Sequence, residues 1–243
     1  MQSMKKLSIR AIKSRIITGE DDLFETIKGA LDTSRPKNGD ILAVTSKVVA
    51  VTQGRVMKIA NEKEFKALVQ QEAGDVIGGK DVILTLKNGI FTPWAGIDRS
   101  NTKKGTAVLW PEGSNKVARQ IEIWLKKNYR LNKCGVIIVD SFCVPLRKGV
   151  SGITLGYSGF LGVEDKRGNK DLFDNSLQFT QEAVADNLAA IANLVMGQGN
   201  EQTPFAIISS APVTFSDKKT EPRDLVMDAR DCLYAPLYKG KIS

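Results

Sequence analysis

A chain of 243 residues with 42% hydrophobic and 26% charged content has the make-up of an ordinary globular protein, one large domain or two small ones. Its net charge of +8 (35 Lys+Arg against 27 Asp+Glu) is scattered rather than massed in a tract, which speaks against nucleic acid; an anionic small substrate such as a nucleotide accounts for the sign, and so does a merely basic surface. It contains no histidine, which excludes a Ser-His-Asp triad, a Cys-His pair and a histidine zinc site.

Residues 6–12 alternate like an edge strand. Gly19-Glu20-Asp21-Asp22 opens an amphipathic helix with Leu23, Ile27, Ala30 and Leu31 on one face, its early acids suited to a helix N-terminus. The turn Asn38-Gly39-Asp40 launches a buried strand, Ile41 to Thr45. A second β run is expected over Val48 to Val56, and a helix over residues 61–73. Asp81 to Leu86 and Gly89 to Thr92 flank Lys87-Asn88-Gly89, a hairpin signal. Asn115 to Tyr129 is a helix. Gly135 to Asp140 is the clearest strand, β-branched and apolar, ending on an acid. The glycine-rich residues 149–163 read as strands with close backbone approaches. Gln178 to Met196 is the strongest helix, stopped by Gly197. Phe205 to Ser209 is a further buried strand, and residues 222–233 are expected to form a terminal helix. Hairpins mixed with βα units predict an α+β or mixed α/β fold rather than a doubly wound one.

No apolar run approaches the ~20 residues of a membrane span, and the basic start Met1 to Arg10 lacks the apolar core of a signal peptide, so a cytoplasmic protein is expected. Cys134, Cys143 and Cys232 are odd in number and show no CxxC spacing, so free, partly buried thiols are expected. Acid–base work falls to Asp, Glu, Lys, Tyr or water, and any metal needs oxygen ligands, which selects a hard ion such as Mg²⁺ or Mn²⁺. Gly74 to Lys80 fits GxxxxGK, but Asp81 stands where a Mg²⁺-binding Ser/Thr is needed and a strand follows instead of preceding it; a surface turn is the better reading. Asp98 and Asn101 sit three apart in a turn, a usual arrangement for a hard cation and its phosphate, or simply an Asx-turn. Asp140-Ser141, at the end of a buried strand, is where open α/β sheets place ligand chemistry; a capping Asp is the alternative. Arg147-Lys148-Gly149 could clamp a phosphate or carboxylate, or be a solvated turn. Met196-Gly197-Gln198-Gly199 is a flexible turn or a plain helix C-cap.

Together these segments resemble the coenzyme F420-0 γ-glutamyl ligase family over nearly the whole chain. The marks are Gly19 to Leu23, Thr45-Ser46-Lys47-Val48-Val49 with Gly54-Arg55, Gly96-Ile97-Asp98-Arg99-Ser100-Asn101, Val139-Asp140-Ser141, Arg147-Lys148-Gly149, Asp171-Leu172-Phe173, Val184-Ala185-Asp186 and Asn193 to Gly197. The resemblance implies an unusual mixed α/β fold, a single domain or two intertwined subdomains over residues 1–243, in an intertwined homodimer. It implies a GTP- or ATP-dependent, Mg²⁺- or Mn²⁺-dependent ligase joining L-glutamate to a carboxylate on an anionic cofactor-type acceptor through an acyl phosphate. Asp98, Asp140 and Ser141 match the family's metal ligands, Ser141 standing where Thr is typical. Ser46, Lys47, Asn101, Arg147, Gly197, Gln198 and Gly199 fall on nucleotide- and cofactor-binding segments.

The departures point to a divergent branch. Ala50-Val51-Thr52-Gln53 replaces the family's Ser-Lys-Ala-Glu, removing a nucleotide-contacting lysine, and Gln198 stands for a metal-ligating Glu. Phe142 to Leu146 replaces an Asn/Met-Gly-Arg pattern, and Lys13-Ser14-Arg15 an N-terminal Gly-Leu-Pro turn. Two other functions stay open: a folate-type polyglutamate ligase, and a non-catalytic nucleotide- or cofactor-binding homologue.

Overall fold

The computed structural model describes residues 6–238 and 240–242. The reading of the first residues as free of a leader falls partly on 1–5, outside the described residues.

The elements run in chain order as β1 (Ser8–Ile12), α1 (Leu23–Leu31), β2 (Ile41–Thr45), α2 (Ser46–Thr52), β3 (Val56–Lys58), α3 (Glu62–Glu72), β4 (Asp75–Gly78), β5 (Leu84–Lys87), β6 (Ile90–Pro93) and β7 (Thr106–Val108). Then come α4 (Ser114–Tyr129), β8 (Gly135–Cys143), β9 (Val150–Ser158), β10 (Glu164–Asp165), β11 (Gln181–Glu182), α5 (Val184–Met196), β12 (Phe205–Ser209) and α6 (Ala235–Tyr238). This is a mixed α/β architecture, as the element order suggested.

A five-stranded sheet of order β1-β12-β2-β8-β9 forms the centre. Only β2 and β8 run parallel, with Ile41 opposite Gly135 and Thr45 opposite Val139; the other neighbours are antiparallel. Successive side chains of a strand point to opposite faces, so each strand feeds two cores. Leu42, Val44, Val136, Ile138, Phe205 and Ile207 face α1, α2 and α4. Ile41, Ala43, Ile137, Val139, Ala206 and Ile208 face α5. Both layers are hydrophobic because both faces of the sheet are covered, which explains the unbroken apolar runs in β2, β8 and β12. A smaller third core gathers Phe65, Leu68 and Val69 of α3 with Ala95, Ile97, Ala107 and Leu109, beneath the β3–β7 pair and the β4-β5-β6 sheet.

Local chemistry sets the ends of the elements. Asp22 caps α1, its carboxylate accepting from the backbone N–H groups of Phe24 and Glu25. Asn61 caps α3 in the same way. Asn88 and Gly89, both at positive φ, make the tight turn between β5 and β6. Gly152 of β9 lies where a Cβ would stand 2.2 Å from the Ala189 carbonyl oxygen, so its lack of a side chain is what lets α5 sit on the sheet. On the opposite face, fully buried Glu122 of α4 is neutralised by Arg119 and Lys126, each at 2.7 Å, and accepts from Ser158 Oγ at 2.6 Å.

Five expectations need correction. Val48 to Val56 is not a strand: Ser46–Thr52 is helical and only Val56–Lys58 is extended. Burying Val48 and Val49 against α1 and the sheet outweighs the β preference of a valine-rich run. The helix expected from Gln178 begins at Val184, because Gln181–Glu182 pairs with Glu164–Asp165 instead. Residues 222–233 hold a single 3₁₀ turn, Pro222–Asp224, and helix returns only at Ala235. Strand β8 does not end at Asp140 but continues to Cys143, paired with β9 throughout. The GxxxxGK segment is not simply a surface turn: Asp75–Gly78 is strand β4, paired antiparallel with β5 at the edge of a small sheet, and only the residues after it turn. All three cysteines are free: Cys134 buried, Cys143 exposed and Cys232 between. Among the described residues no helix is long and apolar enough to cross a membrane.

Candidate functional site

The carboxyl end of β2 and the stretch of β8 beside it, where their parallel pairing stops at Thr45 and Val139, open into a cavity of about 410 Å³. Its floor is Thr45 at the end of β2, Lys47 and Val48 of α2, and Val139, Asp140 and Ser141 of β8. One wall is the loop carrying Asp98, Ser100 and Asn101; the other is the end of α5 and the turn from Gly197 to Glu201. Placement beyond the carboxyl ends of parallel strands is the usual location of ligand sites in α/β sheets, because strand-end side chains and following loops converge there.

Asp98 is held by its backbone and by its side chain. Its backbone exchanges hydrogen bonds with Val108 at the end of β7 (2.9 and 2.8 Å). Its Oδ1 accepts from the Ser100 N–H at 2.6 Å, the Asx-turn geometry. Its Oδ2 lies 2.6 Å from Lys47 Nζ and 2.9 Å from Ser100 Oγ. Partial burial pushes the pKa of this carboxyl up, but Lys47 and the Ser100 donors outweigh it and leave the pKa below the ordinary value. Lys47 also donates to the Ser100 carbonyl at 2.8 Å, so it clamps the whole turn.

Asp140 is different. Its Oδ1 accepts from the Ser141 N–H at 2.8 Å and its Oδ2 from the indole N–H of Trp110. Among the described residues it has no ion-pair partner. Part of its surface opens to the cavity, yet the protein around it strips away most of its water. That desolvation, with a smaller contribution from the charge of Asp98, pushes its pKa up to about 6. The pocket therefore holds one carboxylate already matched to a cation and one that is not.

Ten residues were expected at a site on sequence grounds, and eight line this cavity: Lys47, Asp98, Asn101, Asp140, Ser141, Gly197, Gln198 and Gly199. Ser46 is buried at the start of α2, just beneath. Arg147 lies in the exposed turn joining β8 to β9 and does not line the cavity. The Asn101 amide does not turn toward Asp98; it donates to the Gly199 carbonyl at 2.9 Å and ties the two walls together. Gln198 donates to Asn193 Oδ1 at 2.7 Å.

The structure adds residues that sequence reasoning missed. Ser100 supplies two of the bonds to Asp98. Glu201, three residues past Gln198, brings a carboxylate to the same turn and accepts from the Gly199 N–H at 2.8 Å. Its signal was available: an acid within a glycine-rich turn already under suspicion. Trp110 gave no local signal, because its partner lies 30 residues away.

Around Lys47, Asp98 and Asp140 offer two carboxylates and Ser141 a hydroxyl, and Glu201 brings a third carboxylate on the other wall. Oxygen donors with uncompensated negative charge fit a small divalent ion such as Mg²⁺ or Mn²⁺.

Residues 11–210 match the model of the family described as F420-0:Gamma-glutamyl ligase. The coenzyme F420:L-glutamate ligase of Methanococcus maripaludis strain S2 is 33% identical over 230 residues, covering 87% of this chain and 91% of that protein. The protein of the same name from Methanocaldococcus jannaschii is 36% identical over 211 residues, 78% of this chain and 82% of its own length. That of Archaeoglobus fulgidus is 32% identical over 213 residues, 79% and 83% respectively. With a family match over residues 11–210 and relatives 32–36% identical over most of its length, the chain belongs to the F420-0:γ-glutamyl ligase family.

Proposed function

We propose that this protein is a cytoplasmic, nucleotide- and metal-dependent ligase that forms a γ-glutamyl amide between L-glutamate and a carboxylate acceptor, coenzyme F420-0 or a close analogue. The observation that carries the reading is the pairing of Asp98 and Asp140 in one cavity, the first matched by Lys47 and the second without a cation. The names of the relatives support the substrate class.

A carboxylate does not react with an amine in water until its oxygen becomes a leaving group. Transfer of the terminal phosphoryl group of GTP or ATP to the acceptor carboxylate makes an acyl phosphate. The glutamate amine, having lost a proton to a pocket carboxylate or to water, then attacks the carbonyl carbon, and phosphate departs as the amide forms. None of these steps needs histidine, which the chain lacks. Asp98, Asp140 and Ser141 would hold Mg²⁺ or Mn²⁺, which supplies charge neutralisation for the phosphates. Lys47 stands beside them as a further positive charge for the nucleotide. Asn101 and the Gly197–Gly199 turn form the rim against which nucleotide or acceptor would be oriented.

The test is direct. The purified protein is incubated with glutamate, Mn²⁺, GTP or ATP, and either F420-0 or a folate-type pterin, and the mass of the acceptor is followed. A gain of one or more glutamyl residues is expected with F420-0; a gain only with the pterin assigns the folate-type activity. No gain with either acceptor, with nucleotide still bound, overturns the ligase reading in favour of a non-catalytic binding homologue. Gln198 in place of an acid, held by Asn193, is the feature that would favour that outcome.

A further inference from the structure

The two acids of the site lie on separate elements, and the segment Val108-Leu109-Trp110 spans them. Val108 is paired through both backbone hydrogen bonds to Asp98, and two residues later the Trp110 indole N–H donates to Asp140. The segment itself is held from outside the cavity. The Leu109 N–H donates to the Arg55 carbonyl at 3.0 Å, and Arg55 Nε donates to the Trp110 carbonyl at 3.1 Å. The ring is fixed as well. Trp110 is only 4% exposed, and a Cβ at Gly96 would meet the indole at 2.2 Å, so the ring lies flush against the Gly96 backbone. Lys87 Nζ lies 5.7 Å from the ring centroid.

We propose that Trp110 is a positioning residue that fixes the Asp140 carboxylate relative to Asp98, so that the two acids present one preformed divalent-cation site. The proposal rests on the metal reading of Asp98 and Asp140 made above. An indole N–H can donate but not accept, so it holds Asp140 Oδ2 in a single orientation without competing for the cation. The Ser141 N–H holds the other oxygen, so the rotation of the carboxylate is set by protein donors on both sides. Groups that orient a metal ligand from behind typically carry a 10- to 100-fold effect on affinity when removed.

The experiment uses Mn²⁺ alone, without nucleotide or acceptor, and follows free Mn²⁺ by electron paramagnetic resonance. Trp110→Phe keeps a ring against Gly96 and deletes the N–H. It is expected to weaken Mn²⁺ binding by about 10-fold or more, while the circular dichroism spectrum is unchanged. Asp140→Asn serves as the reference for loss of the ligand itself. A second reading does not require Trp110→Phe to fold: in a Trp94→Phe, Trp124→Phe protein Trp110 is the remaining indole of three, and its fluorescence is expected to be quenched by Mn²⁺ with the midpoint seen in the resonance titration. Mn²⁺ binding by Trp110→Phe within twofold of the parent, or unquenched Trp110 in a protein that binds Mn²⁺, overturns the positioning role and leaves the metal reading standing. Failure of the parent protein to bind Mn²⁺ overturns the metal reading instead, and the positioning role with it.

Discussion

At the residue scale, Asp98 and Asp140 share a cavity but differ in environment. Asp98 has a lysine at 2.6 Å; Asp140 has only N–H donors and a desolvated setting. A carboxylate in that state gains more from a bound cation than one already paired. Asp140→Asn keeps the size and one acceptor for its two N–H donors but removes the charge. It is expected to abolish Mn²⁺ binding in a titration and to reduce ligase turnover by about 100-fold or more, in line with the loss of an electrostatic group at the reacting phosphate. Retention of both would remove Asp140 from the site.

At the scale of elements, the loop carrying Asp98 depends on how β5, β6, β7 and α3 meet. Gly96 sits at φ +73°, where a side chain is strained, and its missing Cβ is replaced by the Trp110 ring. Gly96→Ala is therefore expected to cost about 3 kcal/mol in denaturant unfolding, from overpacking and backbone strain together. A second junction is the cluster in which Glu72 of α3 takes Arg55 at 2.8 Å and Lys87 of β5 at 2.7 Å. Burial pushes the Glu72 pKa up, but the two cations outweigh it and leave it below the ordinary 4.5. A carboxylate whose folded pKa is depressed stabilises the fold above its unfolded pKa, and that contribution disappears as pH falls from about 4.5 through the lower folded value. Glu72→Gln is expected to lose about 2 kcal/mol at neutral pH, a buried-pair value discounted for partial exposure. Its melting temperature should also fall less than that of the parent between pH 5 and 3; equal slopes would show that Glu72 carries no linked stability.

At the scale of the whole molecule, the sheet with its two covered faces accounts for most of the apolar residues, but not all. Leu146 between β8 and β9, and Leu172, Phe173 and Phe179 between β10 and β11, are more than four-fifths exposed. Apolar groups of this size on excursions from the body are what a partner surface covers, and the homodimer implied by the resemblance is our reading of them. Sedimentation should give a mass near twice the 26.6 kDa of the chain. Phe173→Glu with Phe179→Glu should shift the protein to a monomer without unfolding it. A monomeric parent at micromolar concentration would refute the dimer.

The amino-acid sequence by itself determined the buried strands Ile41–Thr45 and Phe205–Ser209, the start of β8 at Gly135, the amphipathic faces of α1 and α4 and the Asn88-Gly89 turn, and it limits any metal site to oxygen or sulfur ligands. These follow from side-chain period, turn chemistry and the absence of histidine, all of which act within a few residues. The order of elements also pointed correctly to a mixed fold. Only the tertiary structure decided that Val48 and Val49 are helical, because the apolar surface that captures them comes from α1 and the sheet. Tertiary structure also placed Arg147 away from the cavity and brought Lys47 to Asp98 across 51 residues and Trp110 to Asp140 across 30. Those contacts depend on which strands become neighbours, a property of the assembled sheet that no local run of residues carries.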